Sequence, residues 1–126
     1  MMDNNVNILG DTEYEIIELL QDLNVPRTEA ICIACLLGGE ELTSQTIERS
    51  SGLRQPEVSV AMRPLRERGW IIERDEKKTN GKGRPVKHYK LTVQLKTIVE
   101  TFEGEIRKQN EEMMDSINRL RELRSS

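Results

Sequence analysis

Residues 53–70 read Leu53-Arg54-Gln55-Pro56-Glu57-Val58-Ser59-Val60-Ala61-Met62-Arg63-Pro64-Leu65-Arg66-Glu67-Arg68-Gly69-Trp70. Val58, Ala61, Met62 and Leu65 recur at helical spacing, which predicts a helix over 54–68 with one apolar side. Pro56 fits the first turn, where a missing N–H costs nothing. Gly69 reads as the glycine that ends the helix. At about 100° per residue, the opposite side holds Pro56, Ser59, Val60, Arg63 and Glu67, with Arg54 and Gln55 reachable at the exposed start. Pro64 removes the bond to the carbonyl of Val60 and disfavours helical geometry at Arg63, so a bend after Val60 is expected.

Upstream, Ser50-Ser51-Gly52 is a tight connection, and Thr43 is placed to cap a short helix over 44–50 with Ile47 pointing inward. A helix beginning near Arg27 carries Ala30, Ile31, Ile33, Ala34, Leu36 and Leu37, ending at Gly38-Gly39. It is apolar on nearly every side, so it is expected to be the central buried helix. Ile16, Leu19, Leu20 and Leu23 predict a first helix over 12–23, with Thr12 and Glu15 at capping-box spacing. Asn24-Val25-Pro26 stops it, and residues 1–10 read as a loose leader.

Downstream, Trp70–Arg74 and Val86–Leu91 are β-like. Between them Thr79-Asn80-Gly81-Lys82-Gly83-Arg84-Pro85 forms a glycine-rich tip, which predicts a hairpin with a long basic loop. Leu95 to about Leu123 reads as one helix. Its apolar positions Leu95, Val99, Phe102, Ile106, Met113, Leu120 and Leu123 alternate by four and three, interrupted at Gln109 and Ser116, which is a coiled-coil seam. The domain expectation is a leader over 1–10, a binding domain over 11–94 and a dimerisation helix over 95–126.

Composition excludes several classes. The chain has 126 residues, 36% apolar and 33% charged, with aromatics only at Tyr14, Trp70, Tyr89 and Phe102. So few rings argue against modules that stack single-stranded bases on aromatic platforms. No apolar run is long enough to span a membrane, and no secretory signal is recognisable, so a cytoplasmic, nucleoid-associated protein is expected. Two cysteines and one histidine cannot fill a four-ligand zinc site. Neither a phosphate-cradling glycine loop nor a hydrolytic triad is present. No enzyme, metal or cofactor is therefore expected.

The net charge of -3 hides a division. Residues 1–42 hold nine acids and one base, whereas residues 74–90 hold seven bases and two acids. An acidic body with one basic strip suits a polyanion binder that touches its target with one face. Combined with the element order, the fold expected is mainly α with a small β-hairpin, a winged helix-turn-helix followed by a long dimerisation helix.

In that arrangement the 54–68 helix enters the major groove, which admits a single α-helix. Arg54, Gln55, Pro56, Ser59, Val60 and Arg63 are the candidate readers there. Arginine pairs with guanine, glutamine with adenine, and an exposed valine suits a thymine methyl. The wing over 74–90 supplies Lys77, Lys78, Lys82 and Lys87 for phosphates. It also supplies Arg84, held extended by Pro85, for a narrow minor groove. Glu57 is expected to favour the helix N-terminus. Arg66 and Arg68 are expected at phosphate or solvent, and His88 near phosphate. The dimer seam is expected at Leu95, Val99, Phe102, Ile106, Met113 and Leu120. Cys32 and Cys35 have redox-motif spacing, but within an apolar helix they read as packing residues.

The runs Leu53–Ser59, Leu65–Ile71 and Gly81–Leu91 resemble winged-helix transcription regulators, nearest to the archaeal TrmB-like group, with the MarR and ArsR families as wider relatives. The resemblance spans residues 14–95. It implies a homodimer that occupies a pseudo-palindromic operator on double-stranded DNA, with the 54–68 helix and the wing as readers; the expected outcome of that occupancy is repression. The large sugar-binding domain of that group does not follow here, so no sugar effector is implied, and no small-molecule effector is identified. The alternative is a winged-helix adaptor that docks a protein of the transcription apparatus, a reading to which Glu57 and Glu67 lend some support.

Overall fold

The protein is described from a computed structural model that covers residues 8–77 and 85–125. Two compact units emerge, residues 1–93 and residues 94–126. Among the described residues no helix is long and apolar enough to cross a membrane.

The first unit begins with α1 (Asp11–Asp22). Its cap differs from the Thr12/Glu15 expectation. Gly10 is the N-cap, in extended geometry, and its N–H donates to Glu13 Oε1 at 2.9 Å. The helix thus starts one residue earlier, and the carboxylate three positions beyond the true cap closes the turn. At the other end Asn24 takes φ 69°, the Asn24 N–H bonds the carbonyl of Gln21, and the Val25 N–H bonds that of Leu20. This paired closure satisfies carbonyls that a helix end otherwise leaves open.

The buried side of α1 also differs from the expected stripe. Ile17 and Leu20 are buried, whereas Leu19 is 55% exposed and Leu23 37%. Ile16/Ile17 and Leu19/Leu20 are adjacent pairs, so the wheel offers two stripes, and packing selects the one facing the next helix. That helix, α2 (Arg27–Leu36), buries every residue from Ala30 to Leu36 and is the centre of the unit. It packs against α1, α3 (Ser44–Ser51), α4 (Gln55–Glu67) and β3 (Val86–Leu91). No polar or charged residue among those described is buried, so the core is held by apolar burial alone.

The hairpin of β2 (Ile71–Glu76) and β3 carries a third strand, β1 (Leu42–Thr43), whose two residues are too few to show a period. The antiparallel order is β1-β3-β2. Leu42 pairs with Tyr89 and Thr43 with His88, while the β2–β3 ladder runs from Ile71↔Leu91 to Glu76↔Val86. The second unit is α5 (Leu95–Ser125), a single helix of 31 residues. Near its start Ile98 and Phe102 are buried, while Val99 is 47% exposed. Ile98 lies beside the four-and-three seam, not on it. From Arg107 to Arg124 every residue is exposed.

Candidate nucleic-acid interface

The geometry of the candidate reading helix is set by its two ends. Thr43 Oγ1 accepts the N–H of Thr46 at 3.1 Å and so caps α3. At the far end of α3, Ser51 Oγ donates to the carbonyl of Ile47 at 2.6 Å and accepts the N–H of Leu53 at 3.1 Å. Gly52, at φ 80°, makes the reversal. Arg54 is the N-cap of α4, and its N–H donates to Glu57 Oε1 at 2.9 Å. Glu57 therefore closes the first turn, as its position suggested. Leu53 and Val58, which bracket that turn, are both buried, the placement of a hydrophobic staple.

The helix ends as expected at Gly69 (φ 79°), whose N–H bonds the carbonyl of Arg66, while the Trp70 N–H bonds that of Leu65. Between these ends Val58, Ala61, Met62 and Leu65 are all buried. Arg54, Gln55, Pro56, Ser59, Val60 and Arg63 are all exposed, Val60 at 66%. The helix is one element through Pro64. Pro64 has no N–H, so the carbonyl of Val60 lacks the usual fourth-residue donor.

The structure places several basic side chains against carboxylates. Arg66 Nη1 donates to Glu73 Oε1 at 2.7 Å, and Lys87 Nζ donates to Glu73 Oε2 at 2.9 Å and to Asp75 Oδ1 at 3.3 Å. The ladder explains the pattern, because Asp75 faces Lys87 directly and Glu73 lies two residues along the same face. These bonds, that to Glu73 foremost, push the Lys87 ammonium up in pKa.

On the other face Arg74 donates through Nε and Nη2 to the two oxygens of Glu41, at 2.7 and 2.6 Å. That hydrogen bonding holds the Glu41 carboxyl below its ordinary range. His88 lies between carboxylates, with Nε2 2.9 Å from Glu76 and Nδ1 3.4 Å from Glu41. Arg68 stacks over the Trp70 ring at 4.7 Å from its centroid. Arg66, Arg68 and His88, expected at phosphate or solvent, thus have protein partners. Lys77 is exposed. Lys78, Lys82 and Arg84 lie outside the described residues.

Cys32 and Cys35 are buried and unbonded to one another. Burial pushes both thiols up to about 12, with the charges of Cys35 and Glu29 adding to the effect at Cys32. A thiol so far from ionisation is a packing group. Among the described residues no cluster of His, Cys, Asp and Glu could hold a metal ion.

No protein-family model and no curated protein matches the chain. Solved structures share its fold. One is TrmBL2, described as an archaeal chromatin protein with a novel mode of DNA binding, at TM-score 0.64 and 20% identity over 88% of this chain. The chain spans only 40% of TrmBL2. Another, from Methanosarcina mazei Go1, is described as a possible transcriptional regulator, at TM-score 0.61 and 13% identity over 83% of this chain and 86% of that one. Such likeness establishes the winged-helix architecture, which among the described residues comprises five helices, the last of them long, and a small antiparallel sheet.

Proposed function

We propose that this chain is a double-stranded DNA-binding transcription regulator of the TrmB-like kind, without catalytic activity, that acts by occupying an operator and represses. The observation that carries this is the exposed side of α4. Gln55, Ser59, Val60 and Arg63 stand clear on a helix whose other side is wholly buried and whose two ends are locked. In this reading Gln55 and Arg54 address base edges from the N-terminal end, Ser59 and Arg63 flank them, and Val60 meets a thymine methyl. Lys77, Lys78, Lys82 and Lys87 meet phosphates, and Arg84 enters a narrow minor groove. Residues 11–94 form the binding domain and residues 95–126 join two copies, matching a two-fold operator. The likeness to TrmBL2, itself described as binding DNA, supports this reading.

Gel shifts with random and selected duplexes at two salt concentrations test it. Gln55→Ala relaxes preference at one base pair, at a cost of about 1–3 kcal/mol there. Arg84→Ala weakens A·T-rich binding and reduces the salt slope by up to about one. No shift on any duplex at low salt refutes the proposal.

A second reading, a protein-docking adaptor, draws on the wing. Arg74 and Lys87 there are already engaged by Glu41, Glu73 and Asp75. A chain that binds no duplex, yet keeps its fold, leaves that reading.

A further inference from the structure

We infer that the exposed part of α5 pairs with the same helix of a second copy in antiparallel orientation, Met113 of one copy facing Ser116 of the other. The inference deepens the dimer invoked above and rests on it. From Arg107 to Arg124 the helix is exposed on all sides, although it carries Met113, Ile117, Leu120 and Leu123 at 57, 41, 66 and 56% exposure. The seam here runs Ile106, Gln109, Met113, Ser116, Leu120, Leu123, alternating by three and four. An apolar stripe of this length on an exposed helix calls for a partner helix.

The charges beside the seam decide the direction. The positions that precede the Met113 and Leu120 layers are Glu112 and Arg119, and Arg124 follows Leu123. In a parallel pair Arg119 meets the partner's Arg124, and Glu112 meets the partner's Ile117. Both juxtapositions are poor. In the antiparallel pair Glu112 meets the partner's Arg119 and, by symmetry, Arg119 meets the partner's Glu112. Glu103 and Arg124 likewise meet the partner's Arg124 and Glu103. The layers fit in size as well. Met113 lies over the small Ser116, Leu120 over Gln109, and Ile106 over Leu123. The two-fold axis falls between residues 114 and 115, near the middle of the exposed stretch, so each copy covers the stripe of the other. Within one helix Arg119 lies 3.7 Å from Glu122, and Arg107 donates to Glu103 at 2.7 Å. Both are exposed pairs, weak in water and compatible with a neighbour.

Arg119→Glu separates the arrangements. Antiparallel pairing then sets like charges together at two symmetric places, and the dimer dissociation constant, read by sedimentation equilibrium, rises by about tenfold. Glu112→Arg with Arg119→Glu restores it. Parallel pairing predicts that Arg119→Glu tightens the dimer, since it then faces the partner's Arg124. Air oxidation of an Ile106→Cys, Leu123→Cys double variant gives doubly cross-linked dimers, and Leu120→Cys alone gives none. A tighter or unchanged dimer, cross-linking of Leu120→Cys alone, or a wild-type chain that stays monomeric overturns the inference. Gel shifts on the same samples keep the two readings apart. Lost duplex binding with an intact charge-swap pattern removes the DNA reading only, and the reverse removes the helix pairing only.

Discussion

Gly69 joins α4 to the wing at φ 79°, and a methyl built on its Cα meets nothing within 4 Å. Space is therefore not the constraint, and left-handed backbone geometry is. Gly69→Ala is expected to cost about 1–2 kcal/mol, read as a lower urea midpoint with an unchanged slope. The buried thiols give a pH prediction. Cys32 and Cys35 sit near 12 in the folded chain against an ordinary 9.0. An acid whose folded value is raised ionises first in the unfolded chain. These two residues thus leave stability unchanged below pH 9 and erode it as pH climbs from 9 toward 12. Cys32→Ala flattens that alkaline decline in a denaturation series. At pH 8 the native thiols resist a thiol reagent and react only on unfolding.

Among the elements, the wing is a lattice of charge. Glu73 receives Arg66 from α4 and Lys87 from β3, so one carboxylate on β2 ties that helix to the hairpin. Glu73→Gln removes that tie and one negative charge. Duplex binding is then expected to tighten by a few fold, with a salt slope steeper by up to about one as Lys87 turns to phosphate. An unchanged slope in salt-titrated gel shifts excludes Lys87 from the interface.

The helices and both hairpin strands were legible in the sequence, because glycine, proline and strong periodicity mark them. So was the division of α4 into a buried and an exposed side, since its apolar residues form a single stripe. β1 was not, because two residues, Leu42 and Thr43, carry no period. The buried side of α1 was not either, because adjacent isoleucines and leucines allow two faces. The engagement of Arg66, Arg74 and Lys87 needs the strand register, which composition does not contain. A count of cations therefore overstates the positive charge that the described wing offers.

Over the whole molecule, acids gather in residues 1–42 and bases in 74–90. Under the proposed function such asymmetry is expected to orient a polyanion before contact and to make association salt-sensitive. Cohesion has a different source. The apolar centre lies around α2, and no described charged residue enters it, so surface charges can be exchanged with little effect on folding. The ladder closes at Glu76↔Val86, and the nine residues 77–85 lie beyond its last rung. Loop closure grows only logarithmically in cost, about 0.6 kcal/mol for a doubling in length. Under the proposed function the length of the segment that joins β2 to β3 is therefore an adjustable dimension, and inserting or deleting residues there is expected to change which duplexes are bound while the scaffold stays as it is.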